Sequence, residues 1–132
     1  MAEKARRLMK QVGLEDDLGQ RDVTQVSGGQ LQRAGICRAL MSDPKMIFGD
    51  EPTGALNSKS AQAIMDLFVR INSGGTAVML VTHDAGIAAQ AERVLFMRDG
   101  KIIDELRLPR HDKTSRGSRV EKVAMMMRAA GI

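Results

Sequence analysis

The chain has 132 residues, 43% of them hydrophobic and 27% charged, which suits one modest domain with a hydrophobic core. Aromatic residues make up only 2% of the sequence, so recognition of nucleic acid by base stacking is not expected. No apolar run approaches the roughly 20 residues that cross a bilayer, and residues 1–10 lack the apolar segment of a secretory signal. Cys37 is the single cysteine, which excludes a disulfide framework and suits a reducing compartment. These observations favour a cytoplasmic protein.

The net charge of +4 arises in residues 101–132, which contain eight Lys and Arg but four Asp and Glu. The simplest interpretation of this basic tail is a solvated face near the chain terminus. Contact with nucleic acid or with anionic lipid is the alternative.

The first third of the chain predicts two helices. Apolar residues at helical spacing predict the first over about residues 2–12, and Gly13 is a suitable residue to follow its end. Leu14–Thr24 is polar and irregular, as expected of a linker. Ser27 can cap a second helix that runs from about Gly28 to Met41. The predicted apolar stripe of that second helix is Leu31, Ala34, Cys37, Leu40 and Met41, which makes the cysteine a core thiol.

The middle of the chain alternates between strands and helices. Lys45–Gly49 is an apolar run that predicts a buried parallel strand. A helix follows, capped by Asn57 or Ser58 and ended by Gly74-Gly75, with an apolar inward face. Thr76–Val81 predicts a second strand, and about 85–91 a short Ala-rich helix. The predicted inward face of the long helix is Ala61, Ile64, Met65, Phe68 and Ile71.

The last third predicts a hairpin and a final helix. Val94–Met97 is the third strand, and Asp99-Gly100 is a strong turn signal that leads into a fourth strand, Lys101–Leu106. After a linker, Ser118-Arg119-Val120-Glu121 has the form of a capping box and predicts a helix that ends at Gly131.

Polar side chains follow two of the predicted strands. The alternation of strands and helices indicates an α/β fold, in which sites gather at the carboxyl ends of the strands. Asp50 and Glu51 stand at one such end and His83 at another, so we expect these three side chains to converge. An Asp in this position can hold Mg²⁺ beside phosphates, and a Glu beside it can orient a water molecule.

Four short stretches of the sequence resemble motifs of ABC-type ATPases. Ser27-Gly28-Gly29-Gln30 is similar to the signature motif, a glycine-rich turn that opens a helix and leaves N–H groups free for an anion. Met46–Glu51 is similar to the Walker B segment, with Gly49 where a larger apolar residue is more usual. Gly54–Asn57 resembles the D-loop, with Asn57 where Asp is more frequent, and His83 matches the switch histidine of the H-loop.

The resemblance extends from about residue 1 to about Leu106, and Asp50–Leu56 is most similar to ATPases of the macrolide, antimicrobial-peptide and lipoprotein exporter group. It implies a partial P-loop NTPase fold of the ABC type, with parallel strands flanked by helices and a C-terminal β-hairpin and helix. It also implies three segments of one partial domain: a helical-subdomain remnant (1–42), half of the catalytic core (43–106), and a basic linker with a helix (107–132).

The resemblance implies roles in ATP and Mg²⁺ binding. Asp50 would help to hold the metal through its water shell, Glu51 would orient or deprotonate the attacking water, and His83 would contact the γ-phosphate. Ser27, Gly28, Gly29 and Gln30 would face a nucleotide held mainly by a second subunit. The expected partners are membrane-spanning transporter subunits and a second nucleotide-binding subunit or N-terminal half-domain, with the protein peripheral to the cytoplasmic membrane when assembled.

The P-loop of this family, Gly-x-x-x-x-Gly-Lys-Ser/Thr, has no match in the sequence. The expected function is therefore the C-terminal portion of a transport ATPase that is inactive until another chain supplies a P-loop. A non-catalytic remnant or interaction module is the alternative, and a basic nucleic-acid binder using Arg107–Arg128 is a third. A missing P-loop strand would leave Thr76–Val81 with an unpaired apolar edge, so we also expect self-association.

Overall fold

A computed structural model describes residues 2–14, 28–110 and 115–132 of the chain. These residues divide into two compact units, Met1–Val81 and Thr82–Ile132. The three segments expected from the sequence remain a prediction. Within the described ranges, no helix has the length and apolar character needed to cross a membrane.

The first unit begins with two helices, α1 (Ala2–Gln11) and α2 (Gly28–Leu40). Gly13 adopts a positive φ of 82°, and the N–H groups of Gly13 and Leu14 donate to the carbonyls of Lys10 and Met9. These two bonds close α1 as the sequence predicts, because glycine reaches the left-handed region without a Cβ penalty. Lys4 pairs with Asp43 at 2.6 Å, which ties α1 to the turn after α2.

The apolar stripe predicted for α2 is partly wrong. The buried side chains of this helix are Ile36, Cys37 and Leu40, whereas Leu31 is 46% exposed. The helix is therefore rotated relative to the predicted stripe, and Cys37 remains a core thiol as predicted. Burial raises the pKa of this thiol, because the charged form loses solvation.

A long helix, α3 (Ser58–Ser73), supplies much of the core of the first unit. The Asn57 side chain caps it by accepting a hydrogen bond from the Ser60 N–H at 2.8 Å, as predicted. Gly75 follows the helix with a φ of 107°. The buried apolar side chains of the first unit are Leu8, Val12, Leu14, Ile36, Cys37, Leu40, Ile47, Ile64, Met65, Leu67, Phe68 and Ile71.

The sheet of the first unit has two parallel strands, β1 (Met46–Asp50) and β2 (Ala77–Val81). The sequence predicts β1 as a buried strand, and this is wrong for one of its two faces. Met46 is 43% exposed, Phe48 74%, Met79 45% and Val81 60%. These four side chains, here called the apolar face, alternate with Ile47, which is buried. Within the described residues β2 pairs with β1 alone, which agrees with the expected unpaired edge.

The second unit contains a short helix α4 (Ala85–Ala88) and a hairpin of β3 (Arg93–Arg98) and β4 (Lys101–Arg107). Asp99 and Gly100 have φ values of 51° and 75°, so both central residues of the turn are left-handed. This geometry matches the right-handed twist of the strands and confirms the predicted hairpin. A bulge lies between Phe96 and Met97.

The final helix, α5, spans Arg116–Ala129, and its predicted start is wrong. Ser115 is the N-cap, and its Oγ accepts from the N–H of Ser118 at 3.2 Å, so Ser118 lies inside the helix. Gly131 follows with a φ of 74°, as predicted. The core cluster of this unit is Ala89, Phe96, Leu106, Leu108 and Val123.

Candidate functional site

The acidic pair lies at the carboxyl end of the parallel sheet. Asp50 is the last residue of β1 and stands opposite Val81 in the register. The ladder continues by one bond, because the N–H of Glu51 donates to the Val81 carbonyl at 2.7 Å. Asp50 is exposed and Glu51 is partly buried. The end of the sheet therefore fixes the backbone of both carboxylate residues, in the position that the sequence predicts.

The backbone of Glu51 is left-handed, with a φ of 47°. Residues other than glycine occupy this region at a cost of about 1–2 kcal/mol, because Cβ approaches the carbonyl oxygen. The conformation reverses the chain directly after the strand, and the N–H of Gly54 donates to the Glu51 carbonyl at 3.1 Å. A strained backbone held by the surrounding structure is a frequent property of functional sites.

Gly49 is the position where the sequence departs from the usual Walker B pattern, and the structure gives a steric reason. A Cβ on Gly49 would stand 2.9 Å from Leu80 Cδ2 and 3.5 Å from Pro52 Cγ. Leu80 is the register partner of Gly49 on β2, so its side chain occupies the space that a larger residue at position 49 would need. The sequence alone does not reveal that the side chain of Leu80 fills the space beside Gly49.

The start of α2 packs against the loop that follows the acidic pair. A Cβ on Gly28 would lie 3.3 Å from Leu56 Cδ2, so the absence of a side chain permits this approach. Gln32 Nε2 donates to the carbonyl oxygen of Pro52 at 2.6 Å. Gly28 and Gly29 open a helix of 13 residues, whose first N–H groups have no partner within the helix. Sequence reasoning missed Gln32, because nothing in the motif distinguishes its side chain from that of Gln30.

The histidine lies in the second unit. His83 is exposed and follows directly after Thr82, whose Oγ1 accepts a hydrogen bond from the Asp84 N–H at 3.0 Å. Asp84 in turn caps α4 by accepting from the N–H groups of Gly86 and Ile87. Side-chain hydrogen bonds of the two residues that flank it, Thr82 and Asp84, thus hold the backbone that carries His83.

The sequence-predicted site residues are distributed over both units. Gly28, Gly29, Gln30, Asp50 and Glu51 belong to the first unit, and His83 to the second. Their predicted convergence stays a prediction. Ser27 lies outside the described residues. Among residues 2–14, 28–110 and 115–132, no three His, Cys, Asp or Glu side chains are grouped so as to hold a metal ion by themselves.

Comparison with known proteins agrees with this arrangement of motifs. Residues 1–54 match the ABC transporter family. The probable syringafactin export ATP-binding/permease protein SyfD of Pseudomonas syringae is 50% identical over 101 residues, which are 76% of this chain and 15% of that protein. The lipoprotein-releasing system ATP-binding protein LolD of Aquifex aeolicus is 41% identical over 104 residues, 79% of this chain and 46% of that protein.

A solved structure extends the agreement to three dimensions. The dimeric ATP-binding cassette MJ0796, in a post-hydrolysis state bound to ADP and Pi, superposes with a TM-score of 0.69 at 38% identity. The match covers 80% of this chain and 46% of that one. The chain carries part of an ABC transporter ATP-binding domain. It spans less than half the length of each of these three relatives.

Within this partial ATP-binding domain, the structure describes most of the predicted motifs. The Walker B-like segment ends β1, the D-loop-like segment Gly54–Asn57 leads into the N-terminus of α3, and the signature-like glycines open α2. The fold class predicted from the sequence is confirmed: helices flank a parallel sheet, and a C-terminal antiparallel hairpin and helix follow.

Proposed function

We propose that the chain is the C-terminal portion of an ATP-binding and ATP-hydrolysing subunit that drives export across a membrane. The observation that carries the proposal is the acidic pair, Asp50 and Glu51, held at the carboxyl end of the sheet by the bond from the Glu51 N–H to Val81. Such an edge is where α/β proteins bind ligands. The export proteins among the relatives support the direction of transport.

Asp50 and Glu51 supply part of what a magnesium-nucleotide complex requires. Asp50 is an exposed carboxylate at the end of β1, and Mg²⁺ bound to a nucleotide is commonly held by one or two carboxylates, water and phosphate oxygens. The bound metal would neutralise charge on the terminal phosphates. Asp50 would orient water molecules of its hydration shell, and Glu51 would orient the attacking water or accept its proton.

The remaining motif residues would act on phosphate charge. In this proposal, His83 would donate a hydrogen bond to the γ-phosphate of a bound nucleotide. Ser27, Gly28, Gly29 and Gln30 approach a nucleotide held by a second subunit, where the N-terminal end of α2 favours an anion. Catalysis of this kind consists mostly of positioning and charge stabilisation.

The proposed site is composite. The 132 residues contain no P-loop motif, so the α- and β-phosphates need a cradle on another polypeptide segment. The partners proposed are that segment, a second nucleotide-binding subunit and membrane-spanning transporter subunits, which would place the protein at the inner side of a membrane. The second candidate is a remnant or interaction module that does not hydrolyse ATP.

Hydrolysis assays separate these two candidates. Mg-ATP turnover is measured for the chain alone and after mixing with the separately expressed P-loop-bearing half of a related cassette. We expect turnover in the mixture only, and a loss of about 100-fold or more in Glu51→Gln, because general-base contributions are of that size. The matched control is Glu121→Gln, the same substitution at an exposed position on α5, and this variant should keep full turnover.

A mixture without turnover would favour the remnant. Turnover by the chain alone, lost in Glu51→Gln, would contradict the composite site.

A further inference from the structure

The loop that follows the acidic pair is attached to α2 by a side chain. Within the loop, the Glu51 carbonyl accepts a hydrogen bond from the Gly54 N–H at 3.1 Å. The next carbonyl, that of Pro52, accepts from Nε2 of Gln32 at 2.6 Å, and Gln32 stands 20 residues earlier in the chain. This bond therefore ties the loop to a separate element of the first unit.

The chemistry of the two groups decides which atom of Gln32 makes the contact. Proline has no N–H, so its carbonyl is the only backbone polar group that Pro52 offers, and a carbonyl can only accept. The side-chain amide of Gln32 must therefore present its nitrogen. Pro52 is buried and Gln32 is half-buried, so water replaces this bond poorly. The contact requires a donor at position 32.

The position of Gln32 along α2 places it on the same face of the helix as the first glycine. Residues four apart share a face of a helix, which applies to Gly28 and Gln32. A Cβ on Gly28 would stand 3.3 Å from Leu56 Cδ2, and Gln32 reaches Pro52 from the next turn. Gln30 is about 200° around the helix axis from Gln32 and belongs to another face. One face of α2 thus lies against the loop.

Glu51 is the residue whose geometry depends on this attachment. Its backbone is left-handed, with a φ of 47°, and such a conformation persists only where the surroundings hold it. On one side, the Glu51 N–H is fixed by its bond to the Val81 carbonyl at 2.7 Å. On the other side, the Pro52 carbonyl is fixed by Gln32. The direction in which the Glu51 side chain leaves the main chain is set between these two anchors.

We propose that Gln32 is a positioning residue for Glu51, which holds the left-handed turn by donating to the Pro52 carbonyl. The kinetic consequence rests on the proposed function. Loss of the donor lowers kcat and leaves the KM for ATP unchanged, because it disturbs the group that orients the attacking water and not the groups that hold the nucleotide. The position of the turn itself does not depend on whether the protein hydrolyses ATP.

Amide hydrogen exchange, followed for each residue by NMR, tests the turn on the full chain without nucleotide. Gln32→Met keeps the length and helix propensity of the side chain but removes the donor, whereas Gln32→Lys keeps a donor. We expect the Gly54 amide to exchange about 2- to 12-fold faster in Gln32→Met, as the loss of one hydrogen bond implies, and at nearly the parent rate in Gln32→Lys.

The matched control is Gln62→Met, because the Gln62 side chain donates to Asp66 within α3 at 2.9 Å, and this variant should leave the exchange of Gly54 unchanged. Gln32→Ala repeats the test if Gln32→Met does not fold, as judged by the exchange of the α3 amides. Equal exchange of Gly54 in Gln32→Met and Gln62→Met overturns the proposal, and so does a Gln32→Lys chain that behaves like Gln32→Met.

Turnover in the mixture with a P-loop-bearing half tests the kinetic consequence. In Gln32→Met, kcat should fall roughly ten-fold or more at unchanged KM, because small misplacements of a positioned group are costly, and it should recover in Gln32→Lys. A rise in KM without a fall in kcat overturns the positioning of Glu51. A parent mixture without turnover contradicts the proposed function instead, and the exchange of Gly54 then decides alone whether Gln32 holds the turn.

Discussion

Arg119 joins three parts of the second unit through one guanidinium group. Its Nε donates to the carbonyl oxygen of Ala89 at 3.0 Å, and its Nη1 to that of Pro109 at 3.1 Å. Its Nη2 donates to the carbonyl oxygens of Ala91 at 3.2 Å and Leu108 at 3.4 Å. Helix α5 is thereby tied both to the end of α4 and to the residues after β4. Removing this side chain tests how the unit is held together.

The expected loss follows from the burial of the acceptors. Ala89 and Leu108 are each 3% exposed, so water replaces the lost donor poorly at their carbonyls. An unsatisfied buried acceptor costs about 1–3 kcal/mol, whereas the carbonyls of the exposed Ala91 and Pro109 can bind water. We expect Arg119→Ala to lower the free energy of unfolding of this unit by about 2–3 kcal/mol. That corresponds to about 30- to 140-fold faster exchange of its most protected amides.

Hydrogen exchange measured by mass spectrometry is the suitable assay. The chain has no Trp or Tyr, which limits intrinsic fluorescence, and exchange reports on each unit separately. Amides of β4 and α5 should exchange faster in Arg119→Ala, while those of α3 should not change. Lys122→Ala, an exposed position on the same helix, is the control and should have little effect. The reasoning is refuted if both variants behave alike, or if α3 is affected as much as α5.

Two further predictions concern a strained backbone and a titrating side chain. Glu51→Gly should stabilise the fold by about 1 kcal/mol, because glycine tolerates the positive φ at this position, whereas Glu121→Gly inside α5 should destabilise it by a similar amount. Thermal denaturation checks both, and a destabilising Glu51→Gly would contradict the role of backbone strain. The hydrogen bond from Arg93 holds the pKa of Glu105 below its usual range, so the unfolded chain binds more protons in that pH window. The stability that Glu105 contributes is therefore fully present above the usual carboxyl pKa, and it is lost as the pH falls through the lowered pKa of the folded state. Glu105→Gln should make the stability of the hairpin less dependent on pH in an acid titration.

Features set by local backbone chemistry could be predicted from the sequence. Asp99-Gly100 specifies the hairpin, because the turn requires two left-handed residues and few pairs of residues supply them. Gly13 ends α1 and Asn57 begins α3 for equally local reasons. The Walker B-like segment was also predictable, since an apolar strand followed by two carboxylates is a pattern within one short stretch.

Features that depend on the surroundings could not be predicted in this way. Ser115 and Ser118 are both suitable caps, and only the packing of α5 decides between them. The buried side of α2 includes Ile36 in place of Leu31, because the position of the core selects among neighbouring stripes. The exposure of Phe48 was missed, since an apolar run looks the same whether one face of its strand is covered or both.

The contact between Gln32 and the Pro52 carbonyl has a mechanical consequence. The first two turns of α2, which carry the glycines and Gln32, contact the loop after Asp50 through this hydrogen bond and through the packing of Leu56 on Gly28. A displacement of the start of α2 is therefore expected to move the loop that contains Pro52, and the reverse also holds. An anion that shifts the start of α2 by a fraction of an ångström would transmit that shift to the backbone of Glu51. We expect a residue at position 32 that cannot reach Pro52 to weaken this connection.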